Sequence, residues 1–223
     1  MPLSASRPRA VLHALVVPLV LLLGVAAVVV ACGPEEASAS FDPATPCNSA
    51  ARQQMQGAYP ALEARVPLEI EGRQAASRDS GRFCAVETLG SVLEAGVTEV
   101  RFGGGIWEAG ERGWIQLGAF EGDGLTPALL AEEYRLAASR RTDAVRATTL
   151  EIDGRPAWRI DVLDGNSRQA IVVWGSADGA VVQAVVAENV EEADLQAAIA
   201  AHHRGAPATP RARAAPRPPG EDQ

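Results

Sequence analysis

Residues 145–187 read VRATTLEIDGRPAWRIDVLDGNSRQAIVVWGSADGAVVQAVVA, and this stretch decides the fold. Val145–Ile152 and Pro156–Leu163 are two strand-forming runs joined by Asp153-Gly154, a pair that tolerates the left-handed backbone of a two-residue hairpin. Arg168–Trp174 and Ala180–Ala187 pair in the same manner around Ser176-Ala177-Asp178-Gly179. Four strands in succession form a meander, and a meander is antiparallel.

Working outward, Thr126-Pro127 opens the clearest helix, with Thr126 as cap and Pro127 in the first turn. It runs to about Arg141 and stacks Leu130, Tyr134 and Ala137 on one side. Upstream, Thr98–Phe102 alternates Thr98, Val100 and Phe102 against Glu99 and Arg101, the pattern of a half-buried strand, and Trp114–Phe120 is a second of the same kind. Val86–Ala95 carries Val86, Leu89, Val92 and Leu93 at helical spacing and is closed by Gly96. Val66–Ile70 reads as a strand that Pro67 confines to a start or an edge, and Asn48–Tyr59 as a short helix ended by Gly57 and Pro60. After the meander, Asn189 with Glu192 makes a start like a capping box for a last helix that carries Leu195 and Ile199 to His202. The sequence therefore predicts one α+β domain over 47–203: an antiparallel sheet of six to seven strands with helices packed on one face.

This order resembles that of the Mog1/PsbP-like family of small extracytoplasmic domains. The resemblance spans residues 98–203 and is carried by Gly154-Arg155-Pro156-Ala157-Trp158-Arg159-Ile160 and the apolar Ile171-Val172-Val173-Trp174. It implies an accessory or binding role, because such domains are mostly not enzymes. Residues 60–96 fall outside it.

The chain begins with Arg7 and Arg9 and no acid, followed by an apolar run from Ala10 to Ala31. That order reads as an export signal. Val29-Val30-Ala31-Cys32 resembles the lipobox of bacterial lipoproteins, which implies cleavage before Cys32, a diacylglyceryl thioether on Cys32, and a protein held on the extracytoplasmic side of the cell membrane. The other reading of the run is an uncleaved transmembrane helix, since about 20 apolar residues suffice to span a bilayer. Both readings put the rest of the chain outside, because Arg7 and Arg9 precede the run and Glu35 and Glu36 follow it. Residues 32–46 are small, polar and punctuated by Pro, as a flexible tether would be. Residues 204–223 are rich in Pro and Arg and read as a disordered tail, whose Arg211, Arg213 and Arg217 could meet anionic lipid or cell-wall polymer or simply stay solvated.

An exported chain keeps its thiols where they oxidise, so Cys47 and Cys84 are expected to form a structural disulfide. All 20 basic residues of the 223 are Arg, which excludes a P-loop lysine and Schiff-base chemistry. Residues 47–203 carry a formal charge of −9, which argues against nucleic acid as a partner. His202-His203 is the only histidine pair, and adjacent helical positions point about 100° apart, too far to share a metal. At a helix C-terminus the pair is expected to be partly cationic. A serine triad lacks a base, and no metal or cofactor is expected.

Two features remain as candidate contacts. Gly103-Gly104-Gly105 does not open a helix, so it reads as a bulge or a flexible hairpin arm and not as a phosphate loop. Trp107 and Trp114 flank the hairpin tip and could form an aromatic patch for an envelope protein or a polymer, or else pack on the sheet. Three functions stay open: a non-enzymatic binding or accessory module, a small-ligand binder with a pocket between sheet and helices, and a hydrolase working through carboxylates alone. A pocket of some hundreds of Å³ would favour the second, and an exposed aromatic patch the first.

Overall fold

The computed structural model describes residues 42–47 and 53–204. The signal segment 1–31, the lipidation candidate Cys32, most of the tether, residues 48–52 of the expected first helix and the tail from 205 onward lie outside them. The elements are α1 (Pro60–Glu63), β1 (Glu69–Ile70), β2 (Arg73–Gln74), β3 (Ser77–Phe83), α2 (Val86–Leu89), α3 (Ser91–Glu94), β4 (Val100–Ala109), β5 (Gly113–Glu121), α4 (Pro127–Ser139), β6 (Val145–Ile152), β7 (Arg155–Asp164), β8 (Ser167–Gly175), β9 (Val182–Glu188) and α5 (Glu192–Arg204). The architecture is α+β. Strands β1 and β2 form a small ribbon, and the other seven form one antiparallel sheet in the order β3-β4-β5-β9-β8-β7-β6.

The C-terminal meander is present as read. Helix α4 carries the chain from β5 to the far edge, and β6 to β9 step back until β9 pairs with β5 at the centre. Asp153 and Gly154 both take positive φ, 51° and 69°, as the β6–β7 turn requires. Thr126 caps α4 by accepting the Leu129 N–H at 3.2 Å.

The helices do not share one face. Ile115, Leu117, Val172, Trp174 and Val185 pack with Leu195, Ala198 and Ile199 of α5, and α1 and β1 extend the same layer. Phe120, Ile171, Val173, Val182 and Val186 point the other way, onto Leu130, Ala131 and Tyr134 of α4 and onto the residues of α2 and α3. The expected one-sided sheet is thus covered on both sides. The cause is visible in Ile171–Trp174 and Val181–Ala187, where consecutive residues are buried. A strand apolar at every position has no face to give to water.

Three local readings change. Residues 53–55 are extended, with Gln54 bridged to Gly81 on the outer side of β3, and Pro60 sits in the first turn of α1 and does not end a helix. The predicted helix over 86–95 is broken at Gly90, whose φ of 51° disfavours any side chain. The Glu133 carboxylate of α4 then accepts both the Ser91 N–H and its hydroxyl at 2.6 Å, holding the start of α3. Strand β3 was not foreseen: Ser77–Phe83, SRDSGRF, is polar, yet it pairs without interruption along β4.

The three glycines of β4 are not a bulge: they lie in an arm of the β4–β5 hairpin, and pairing with β3 and β5 runs unbroken through them. They make room. A Cβ on Gly103 would lie 2.5 Å from the Leu62 carbonyl carbon of α1, and one on Gly105 would lie 2.9 Å from the Trp107 ring.

Cys47 and Cys84 are joined, with Cα atoms 6.1 Å apart. Such a loop is worth about 3–4 kcal/mol in the chain-entropy account. The buried Arg82 guanidinium supports the same junction. It donates to Gln53 Oε1 at 2.7 Å, to the Thr45 carbonyl at 2.7 Å and to the Pro43 carbonyl at 3.4 Å. Residues 42–46, assigned by composition to the tether, are therefore strapped to the end of β3.

Gly103→Ala should lower stability by about 2 kcal/mol or more, because the clash is with backbone that cannot rotate away. Gly104→Ala, whose Cβ would meet only the Leu117 carbonyl oxygen at 3.1 Å, should cost less. Urea unfolding of the two variants tests this, and equal midpoints would contradict it.

Candidate functional site

Helix α5 is fastened to the sheet at its start by Arg159 of β7. The guanidinium donates to both Glu192 oxygens, at 2.8 and 2.9 Å, and its Nε donates to Asp161 at 2.9 Å. This forked, charge-assisted pairing fixes orientation as well as distance. The Glu192 carboxyl is held below its ordinary range by Arg159 first and then by the Gln196 side chain, and the same hydrogen bonds raise the Arg159 pKa.

At its other end α5 buries His202 completely. Nε2 lies 2.9 Å from the Gly118 carbonyl, which can only accept, so Nε2 carries the proton. Nδ1 then faces Gln183 Nε2 at 3.4 Å, and the same amide donates to the His202 carbonyl at 2.8 Å. The Trp174 ring meets the imidazole edge-on with centroids 5.5 Å apart. Burial pulls the His202 pKa down from 6.5 to about 4, against the raising effect of the Gly118 and Arg65 carbonyls. His202 is therefore neutral, contrary to the cationic state expected at a helix end. Its spacing of seven from Leu195 places it on the stripe that faces the sheet, a signal already present in the sequence. His203 turns outward, with Nε2 3.6 Å from Asp153.

Trp107 and Trp114 do not form one patch. They sit on opposite faces of the β4–β5 hairpin: Trp107 is sealed in the α5 layer over Gly105, and Trp114 is half-buried in the α4 layer. The hairpin tip thus presents no paired aromatics.

Beyond the first turn of α5 the outer strands are left bare, and there an open cleft of about 650 Å³ forms. Its floor is the α5-side surface of β6, β7 and β8. Ala170 and Ala187 are small and leave depth, while Leu163 stands 48% exposed at the rim. Val190 and Leu195 make the apolar wall, and Arg159 with its two carboxylates closes one side. Composition and periodicity gave no warning of this site. It exists because the α5-side core, which takes in Leu150 and Ile152 of β6, does not extend to the Arg146 end of that strand.

Among the described residues no group of three or more His, Cys, Asp or Glu could hold a metal ion, and no helix is long and apolar enough to cross a membrane. No protein-family model, curated protein or solved structure matches the chain. The Mog1/PsbP-like resemblance accordingly rests on the order of elements and on the residues quoted for it.

Because the unfolded chain takes up a proton at the 6.5 of a free imidazole and the folded one only near 4, the His202 contribution is intact above pH 6.5 and is lost as pH falls toward 4. The loss amounts to about 3 kcal/mol. His202→Gln should be less stable at neutral pH, yet should show a flatter decline across that window than the wild type. Parallel declines in urea melts at several pH values would contradict the assignment.

Proposed function

We propose that this chain is a lipid-anchored extracytoplasmic binding module, tethered through Cys32 and binding its partner at the cleft between α5 and the outer strands. The observation that carries the anchoring half is the Cys47–Cys84 bond. Paired cysteines persist in oxidising compartments, which is where an export signal ending in Val29-Val30-Ala31-Cys32 delivers a protein. Cleavage before Cys32 and acylation of its thiol follow from that box, and each acyl methylene contributes about 0.8 kcal/mol of membrane attachment.

The cleft supports a role in binding more than one in catalysis. A general acid or base needs a titration near working pH and access to substrate. His202 has neither, and of the four carboxylates of the cleft Asp161 and Glu192 are spent on Arg159, while Asp143 and Glu191 stand exposed to solvent. The volume is that of a small-ligand or peptide site, which makes the small-ligand reading the stronger form of the proposal. A partner from the envelope, protein or polymer, would reach the same place through an extended segment.

Two measurements test it. Intact-mass spectrometry of the protein from bacterial membranes should give a chain beginning at an acylated Cys32, and Cys32→Ser should keep residues 1–31. An unmodified Cys32 with 1–31 attached in the wild type would end the anchoring proposal. In the same cells, a photoreactive residue at position 163 should give cross-linked adducts that one at the still more exposed Val86 does not. Identical adduct patterns would remove the cleft from the reading.

A further inference from the structure

Four charged side chains of the cleft have no partner among the described residues. The side chains of Arg159, Asp161 and Glu192 satisfy one another, whereas the side chains of Arg146 of β6, Arg168 of β8, Asp143 before β6 and Glu191 before α5 make no hydrogen bond or ion pair among the described residues; the backbone of Arg168 is bonded to Asn189 and the Glu191 carbonyl accepts from Leu195. The register places them. Arg146, Asp161, Ala170 and Ala187 lie side by side across β6, β7, β8 and β9, and Leu163 pairs with Arg168 one step further toward the strand ends. Leu163 therefore stands on β7, between the strands of the two free arginines. Those strands are about 10 Å apart, a span that two arginine side chains can close from both sides.

The exposed Leu163 and the alanine floor call for an apolar group, and the unpaired guanidinium and carboxylate groups call for both signs of charge. A simple anion meets the field of a domain with a formal charge of −9 over residues 47–203. A ligand that carries both charges and is neutral overall does not. The cleft of about 650 Å³ leaves room for a dipeptide or a little more.

Resting on the reading of the cleft as a binding site, we infer that its ligand is a short peptide with free ends. The carboxylate is held by Arg146 and Arg168, the ammonium by Asp143 and Glu191, and an apolar side chain lies over Leu163 and Ala170. Recognition at two charged ends selects small free peptides over internal stretches of a longer chain, which present neither terminus.

The test uses the full chain in lipid nanodiscs with labelled leucine and valine methyl groups. Four probes are titrated: alanyl-phenylalanine, its N-acetyl form, its C-terminal amide, and the form blocked at both ends. Alanyl-phenylalanine should shift the Leu163 and Leu195 methyls saturably, and each single block should weaken binding about tenfold. Arg146→Gln and Arg168→Gln should weaken the parent dipeptide while leaving the C-terminal amide unchanged. If all four probes bind alike, the cleft remains a site and the claim about free ends is wrong. If none of them moves the Leu163 or Leu195 methyls, the dipeptide inference is wrong, and the reading of the cleft as a binding site is decided separately by the cross-linking at position 163.

Discussion

Helix α5 is held to the sheet by a polar group at each end, and the remainder of the molecule is arranged around that fact. Its buried stripe is Leu195, Ala198, Ile199 and His202, and two of those four are a small residue and an imidazole. Such a stripe buries less apolar area than that of α4, which presents Leu130, Ala131, Tyr134, Ala137 and Ala138. The Arg159–Glu192 fork and the His202–Gly118 hydrogen bond supply the registration that apolar contact alone would leave loose. The imidazole is neutral, hydrogen-bonded and packed on Trp174, so its burial carries no unpaired charge into the core.

The cleft follows from the same arrangement. Helix α5 is pinned at its start to Arg159 of β7 and contacts β9 and β5, leaving the first part of β6, around Arg146, open on the α5 side. Arg146 there is exposed, whereas Leu150 and Ile152 further along the strand pack against the α5-side core. On the opposite face α4 reaches β6, β7 and β8, so around Arg146, Asp161 and Arg168 these strands are covered on one side only. The sheet is thus two-sided at its centre and one-sided at this edge.

Much of the fold was legible in the sequence, and the misses share a cause. The meander, its Asp153-Gly154 turn and the Thr126 cap are signals confined to a few adjacent residues, and each appears as read. What failed were inferences about what lies on top of an element. The apolar runs 171–174 and 181–187 announce burial on both faces, but a hairpin pattern invites the reading of a sheet with one wet side. The glycines of β4 look like flexibility until the α1 backbone and the Trp107 ring are seen to occupy the space. Strand β3 is polar because Ser80 and its arginines serve the strap and α1: Ser80 Oγ donates to Glu63 at 2.7 Å, and Arg82 holds Pro43, Thr45 and Gln53. The cleft was invisible for a related reason. Arg146, Leu163 and Arg168 lie on three different strands and meet only through register.

The strap and the cleft lie at opposite ends of the sheet, and this bears on how an anchored molecule would work. The Cys47–Cys84 bond and Arg82 fix the entering chain at the β3 edge, while the cleft opens toward β6 at the other edge. Six interstrand steps of about 4.8 Å separate those edges by about 29 Å. On the proposed anchoring through Cys32, the ten residues to Asp42 reach at most about 35 Å when fully extended. On that proposal the β3 edge stays within about 35 Å of the bilayer, whichever way the cleft edge points. A disulfide at the tether junction suits that geometry: it passes any pull from the anchor into the β3–β4 pair and away from the contacts of α5 that shape the cleft.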